Sequence, residues 1–137
     1  MIGEEEEDEL LAQFERTSAE ATAATDGEQY EAFSVKDRRQ LSLYVRPVGE
    51  PYQWVTYRYL LQMLAAPAGN RLDLVFSFQL ITITGRNLLE IGDAISKERC
   101  EFLQQFDAKK WPLPKDASAP FIESIKYKMS TPSDMEG

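Results

Sequence analysis

The chain has 137 residues, 43% of them hydrophobic, and a formal net charge of −8. This length provides one folded domain with a core, because two domains would each bury too little apolar surface. No run approaches the roughly 18 consecutive apolar residues of a membrane span, and the first residues are acidic where a secretory signal would be basic. We therefore expect a cytoplasmic protein with no membrane partner.

Residues that commonly carry catalysis are missing from the sequence. Histidine, the commonest general base and metal ligand, is absent. Cys100 is the single cysteine, so it can form no internal disulfide and has no histidine to activate it; we expect it to serve packing. No calcium loop or glycine-rich phosphate loop is present. The sequence predicts no catalytic, metal or cofactor site, and we expect a protein that is not an enzyme.

The negative charge is concentrated at the N-terminus. Residues 1–37 hold 12 acidic and two basic residues (net −10), whereas residues 38–137 hold 11 acidic and 13 basic residues (net +2). Three interpretations of the segment 1–29 remain open: a flexible solvated arm, a recognition element on a marginal helix, and an arm that either mimics a nucleic-acid backbone or covers the basic body until a partner displaces it. The recognition element would bind a basic protein surface through these acids and apolar anchors: Glu4, Glu5, Glu6, Glu7, Asp8, Glu9, Leu10, Leu11 and Phe14.

The folded domain is predicted to cover residues 30–128, with a flexible tail at 129–137. Leu41, Leu43 and Val45 alternate with Ser42, Tyr44 and Arg46, the period of two that is typical of a strand with one buried face. The Pro/Gly segment 47–51 is predicted to turn the chain. The aromatic segment 52–59 is then predicted to form a strand that continues into irregular or helical structure.

Residues 71–84 show the same alternation of apolar and polar side chains. Two short strands joined by a tight turn near 77–79 explain the pattern, and one long bent strand is the alternative. Residues 121–128 predict an edge strand whose lysines discourage further strand pairing. The alternation places Phe121, Glu123, Ile125 and Tyr127 on one side of it.

An amphipathic helix is predicted over residues 87–106. A narrow arc at 100° per residue contains its large apolar side chains: Leu88, Ile91, Ile95, Phe102 and Phe106. Asn87 is the expected N-cap, and Glu90 completes a capping box. Gly92 weakens the helix by about 1 kcal/mol relative to alanine. Arg99 lies on the apolar side, so it must be paired, reach solvent, or mark a break near residues 96–97.

The aromatic segment 52–59 supports a second function. Trp54, Tyr57, Arg58 and Tyr59 are the residue types that stack on bases and contact phosphates in single-stranded nucleic acid. Other basic residues are candidates for the same groove: Arg38, Arg39, Arg46, Arg71, Arg86, Lys126 and Lys128. Core strands are equally rich in aromatic residues, however, and alternation would direct about half of these rings inward. In this alternative the acidic arm is autoinhibitory.

Together these patterns predict an α+β domain. We expect a small, mostly antiparallel sheet of about four or five strands, with one main helix packed on it and an acidic arm preceding it. The function that the sequence favours is a non-enzymatic protein–protein interaction module, meaning a small acidic subunit, chaperone or inhibitor whose partner presents a basic surface. Binding of single-stranded nucleic acid is the alternative.

Overall fold

The computed structural model describes residues 29–129, which divide into two compact units. The smaller unit contains residues 29–30 and 107–114, and the larger contains residues 31–106 and 115–129. In the smaller unit the Tyr30 and Trp111 rings pack with centroids 5.4 Å apart. The Asp107 carbonyl accepts hydrogen bonds from the backbone N–H groups of Lys110 (2.9 Å) and Trp111 (3.1 Å). All but the last residue of the expected arm and all but the first residue of the expected tail lie outside the described residues.

The larger unit contains two four-stranded sheets. The first has the order β1 (Phe33–Val35), β7 (Cys100–Gln104), β2 (Ser42–Arg46) and β3 (Gln53–Thr56). The second has the order β4 (Leu60–Ala65), β5 (Arg71–Phe76), β6 (Gln79–Arg86) and β8 (Phe121–Met129). All pairs are antiparallel except β2 with β7. The α+β class with a mostly antiparallel arrangement is confirmed, but there are two sheets where we expected one.

Alternation of apolar and polar residues explains the strands β2, β5 and β6. Leu43 and Val45 of β2 are fully buried, as are Leu72 and Leu74 of β5. In β6, Ile81 is buried and the polar residues between the apolar ones are not. β5 and β6 are neighbouring antiparallel strands connected by residues 77–78 alone. The interpretation of this segment as two strands joined by a tight turn is therefore correct.

The first passage of the chain from the first sheet to the second is a 3₁₀ turn, Tyr57–Tyr59. We expected one strand over 52–59 followed by irregular or helical structure. Instead β3 ends at Thr56, and the helix-favouring residues 60–65 form β4, paired with β5. Antiparallel pairing such as Met63 with Leu74 overrides the helix propensity of this segment.

One α-helix, α1 (Leu89–Ser96), is present among the described residues, and it is much shorter than predicted. Glu98 adopts a left-handed conformation (φ 58°), which ends the helical path, and Arg99 is exposed. The break at 96–97 was one of three alternatives for Arg99; the helix does end there, but a strand follows it and not a second helix. Residues 100–104 lie between β1 and β2, so the helical spacing of Phe102 is a coincidence of sequence.

The prediction that Asn87 is the N-cap of the helix is wrong. Leu88 occupies the N-cap position, and its side chain makes no capping hydrogen bond. Asn87 has a positive φ of 56°, and its Nδ2 donates to the carbonyl oxygens of Ala117 (2.8 Å) and Ala119 (3.1 Å). Asparagine tolerates this conformation, so its role here is to hold the segment that precedes β8.

Strand β8 lies at one end of the second sheet, as the lysine pattern predicted, but its faces differ from the prediction. Thr84 pairs with Ser124 and Gly85 pairs with Ile122, so β8 has one extra residue at this point. Such a bulge shifts the alternation by one residue. Ile122 and Ile125 are consequently both buried, whereas simple alternation would put them on opposite sides.

Side chains also join segments of the two sheets. Gln105 Oε1 accepts hydrogen bonds from the backbone N–H groups of Val48 and Ile125, both at 3.1 Å. The Tyr127 hydroxyl donates to the Pro51 carbonyl at 2.9 Å. These bonds fix the ends of the first sheet against β8. No helix within residues 29–129 has the length and apolar character required to cross a membrane.

Candidate functional site

A row of aromatic rings crosses three strands of the first sheet. Tyr44 of β2 pairs with Phe102 of β7 on one side and with Trp54 of β3 on the other. The Tyr44 and Trp54 rings are stacked, with centroids 4.1 Å apart and planes 7° from parallel. Tyr52 approaches Tyr44 edge-on at 5.8 Å. Because Trp54 is 67% exposed, this row is presented to solvent.

The row lies on the side of β2 that does not face the core. Leu43 and Val45 point inward, so Tyr44 and Arg46 point outward by the strand period of two. A bulge in β7 contributes to the same side: Phe33 and Val35 pair with Leu103 and Cys100, so three steps along β7 oppose two along β1. Cys100 and Leu103 are both buried, so Glu101 and Phe102 between them lie on the outer side of the sheet.

Arg46 is held against the aromatic row. Its guanidinium carbon lies 4.4 Å from the Tyr44 ring centroid and 4.7 Å from the Phe102 centroid. Each cation–π contact contributes about 0.5–1 kcal/mol at an exposed site. The buried Arg46 Nε has no hydrogen-bond partner within the described part of the chain. The charge is therefore positioned by rings and not by a carboxylate.

A groove of about 550 Å³ opens beside these rings. Its walls combine three arginines, two aromatic rings, one acid and three further residues: Arg38, Arg39, Gln40, Leu41, Ser42, Tyr44, Arg46, Trp54 and Glu101. We call this groove and the adjoining row, Phe102–Tyr44–Trp54, the aromatic–arginine face. The volume is within the range of small-ligand sites, roughly 300–1,000 Å³.

The electrostatic character of the groove is positive. Its one carboxylate, Glu101, is 3.5 Å from Lys36 Nζ and accepts a hydrogen bond from Ser34 Oγ at 3.2 Å. Arg39 makes a long contact of 3.9 Å with Glu98 while 82% of its side chain is exposed. Such exposed ion pairs contribute little energy, so the arginines remain available to an incoming anion.

The structure separates the four residues that the sequence grouped for nucleic-acid binding. Trp54 lies on the aromatic–arginine face. Tyr57 is buried, and its hydroxyl donates to the Cys100 carbonyl at 2.6 Å; burial and the nearby Cys100 raise the Tyr57 pKa. A buried ring cannot stack on a base. Arg58 and Tyr59 are exposed but lie in the 3₁₀ turn, and the Tyr59 ring contacts the Phe78 ring with centroids 6.2 Å apart.

The seven other basic candidates divide between the two sheets. Arg38, Arg39 and Arg46 line the groove, whereas Arg71, Arg86, Lys126 and Lys128 belong to strands of the second sheet. Arg71 is paired with Asp73 at 3.2 Å. Only the first three therefore contribute to the candidate site. The acidic and apolar candidates at positions 4–11 and 14 lie outside the described residues.

Cys100, the first residue of β7, is buried on the inner side of this sheet. Burial raises the pKa of its thiol to about 12, and its Sγ donates to the Phe102 carbonyl at 3.2 Å. The thiol is therefore protonated at neutral pH and serves packing, as expected. Residues 29–129 contain no group of three or more metal-ligating side chains.

Sequence reasoning did not identify Tyr44, Phe102 and Glu101 as site residues. The alternation around Leu43 predicted that Tyr44 points away from the core, and that was the available signal. The pairing of Tyr44 with both Trp54 and Phe102 depends on register between distant segments, which periodicity does not encode. Comparison of the chain with family models, curated proteins and solved structures finds no match.

Proposed function

We propose that this protein is a non-enzymatic interaction module that binds an anionic partner through its aromatic–arginine face. The observation that carries the proposal is the exposed Trp54, stacked on Tyr44 and placed beside three arginines. Tryptophan, tyrosine and arginine are the residues most enriched where binding energy is concentrated in interfaces. The face has that composition in one continuous patch.

The aromatic–arginine face is separate from the residues that hold the sheet together. Leu43, Val45 and Leu103 are fully buried on the opposite side. Leaving a large apolar ring in water forgoes about 1.5–3 kcal/mol of burial, so stability gives no reason to expose Trp54. A partner that covers the ring would recover part of this energy on binding.

Charge supports an anionic partner for this surface. Residues 29–129 hold 14 basic and 11 acidic residues, a net charge of +3, although the full chain is at −8. Within the groove three arginines accompany one glutamate, and that glutamate is already paired with Lys36. A guanidinium held between two rings needs little reorganisation to contact an anion.

The test is a titration of the full-length protein at low salt with a labelled polyanion and, separately, with a labelled polycation, in which binding is measured by the fluorescence anisotropy of the polymer. We expect polyanions to bind, and Trp54→Ala and Arg38→Gln to weaken their binding. Phe78→Ala serves as the control, because Phe78 is equally exposed (66%) but outside the face. If no polyanion binds, or if Phe78→Ala has the same effect as Trp54→Ala, the proposal is wrong.

A second candidate function rests on the N-terminal charge. Residues 1–28 hold 10 acidic residues and one basic residue, a net charge of −9 that would attract a basic partner protein. Glu4–Glu9 would accelerate the encounter, with Leu10, Leu11 and Phe14 as anchors. Polylysine tests this separately: its binding should survive Trp54→Ala and disappear when the acids at 4–9 are replaced by glutamine and asparagine.

A further inference from the structure

We infer that the anionic partner of the aromatic–arginine face is single-stranded nucleic acid. This inference rests on the proposed function and adds the chemical class of the ligand. The arginines alone would bind any polyanion, including an acidic peptide. The aromatic stack narrows the choice, because it offers a flat apolar surface that a nucleobase covers and a carboxylate side chain does not.

The stack leaves one ring surface ready for a base. Tyr44 covers the side of the Trp54 ring that faces β2, with the planes parallel to within 7°. β3 is the last strand of the first sheet, and the described strands include no neighbour beyond it. Among the described residues no strand of this sheet therefore lies against the other side of the Trp54 ring, and 67% of the residue is exposed. A base placed there extends an existing parallel stack without moving either side chain.

The groove provides phosphate contacts within reach of that base. Arg38 and Arg39 precede β2, and Arg46 ends it, so the cations lie at both ends of the strand whose middle carries Tyr44. Arg46 lies two residues from Tyr44, roughly 7 Å along the strand. A nucleotide with its base on Trp54 can thus direct its flanking phosphates toward arginines. Neutralisation of three phosphates predicts a slope of about −2 for log K against log salt concentration.

Duplex nucleic acid does not fit this arrangement. In a duplex each base is already stacked on its neighbours, so adding one to Trp54 requires unstacking. A single strand presents unstacked bases at little cost. We therefore expect single strands to bind more tightly than duplexes of the same charge, with weak dependence on sequence because every base has a ring surface.

The experiment uses the full-length protein carrying Trp111→Phe, so that Trp54 is the remaining tryptophan. Fluorescence is titrated at low salt with a single-stranded ten-nucleotide thymidine oligomer, with a duplex containing that oligomer, and with polyglutamate. We expect strong quenching by the single strand, weak response to the other two, and a salt slope of about −2. The Trp54→Ala variant should bind the oligomer at least about fivefold more weakly. Because this variant lacks the Trp54 reporter, its binding is measured by the fluorescence anisotropy of a labelled oligomer.

Arginine variants distinguish binding at the aromatic–arginine face from binding by the group that the sequence predicted at 52–59, whose arginine is Arg58. Arg38→Gln and Arg39→Gln should each lower the salt slope, whereas Arg58→Gln, outside the groove, should leave binding unchanged. If polyglutamate or the duplex binds as tightly as the single strand, the inference is overturned and the proposed function stands. If no anion binds, both are overturned. A thermal melt of each variant shows that it is folded.

Discussion

Two glycines of this fold allow the same substitution with opposite expected effects on stability. At Gly85 in β6, an added Cβ would overlap the backbone carbonyl of Phe121 in β8. At Gly92 in α1, an added Cβ would lie 3.4 Å from Leu72 Cδ2 and 3.8 Å from the Met63 side chain, which are ordinary contact distances. Gly85→Ala must therefore push two strands apart, whereas Gly92→Ala fills available space.

The magnitudes follow from what each change disturbs. Moving β8 at Gly85 affects the pairs with Ile122 and Phe121, and also the hydrogen bond from Phe106 N to the Ile122 carbonyl (2.9 Å). Two backbone hydrogen bonds at about 1 kcal/mol each and a packing strain of about 1–3 kcal/mol sum to a loss of about 3–5 kcal/mol. Gly92→Ala should gain up to about 1 kcal/mol from helix propensity.

Thermal and urea denaturation followed by circular dichroism measure both variants. Since 1 kcal/mol shifts the midpoint by about 4–8 °C in a domain of this size, Gly85→Ala should lower Tm by roughly 12 °C or more. Gly92→Ala should leave it unchanged or raise it by several degrees. A Gly85→Ala variant as stable as the parent would refute the close approach of β6 and β8, and equal losses at both positions would refute the steric reasoning.

Three further predictions concern hydrogen bonding, pH and charge. Gln105→Ala should lower the free energy of unfolding in urea by about 1–3 kcal/mol, because the part-buried Ile125 N–H loses its acceptor while the exposed Val48 N–H can bind water, whereas exposed Gln62→Ala should change it by less than about 0.5 kcal/mol. Burial raises the pKa of the Cys100 thiol from 9.0 and that of the Tyr127 hydroxyl from 10.0, each to about 12. The unfolded chain then ionises first, so stability should be complete below about pH 9 and fall toward pH 12; a urea midpoint constant to pH 11 would contradict this. Replacing the six acids at 4–9 by amides changes the net charge from −8 to −2 and should strengthen oligonucleotide binding at low salt but not at high salt.

Local sequence patterns were sufficient for the strands whose apolar residues alternate. The core positions Leu43, Leu72 and Ile81 followed directly from a period of two. The pattern was misleading at Phe102, which has helical spacing relative to Ile95 but belongs to a strand. Its place in the sheet depends on pairing with Tyr44, 58 residues earlier, and a local window contains no information about that pairing.

The candidate site was predictable to a similar degree. Trp54 and the arginines Arg38 and Arg46 could be named from residue type and outward position. Tyr57 was wrongly grouped with Trp54: it continues the alternation of β3, in which Trp54 is exposed and Val55 is buried, so the period of two already places the Tyr57 ring on the buried side. The aromatic row required the register of three strands, which only the tertiary fold supplies.

The parallel pairing of β2 with β7 also has a consequence for how this surface comes into existence during synthesis. Phe102 reaches Tyr44 only after a loop of 57 intervening residues has closed, and pairings of such long sequence separation slow folding. A nascent chain that ends before residue 102 cannot complete the row of three rings. Short peptides spanning 38–59 should accordingly fail to reproduce the recognition properties of the whole molecule.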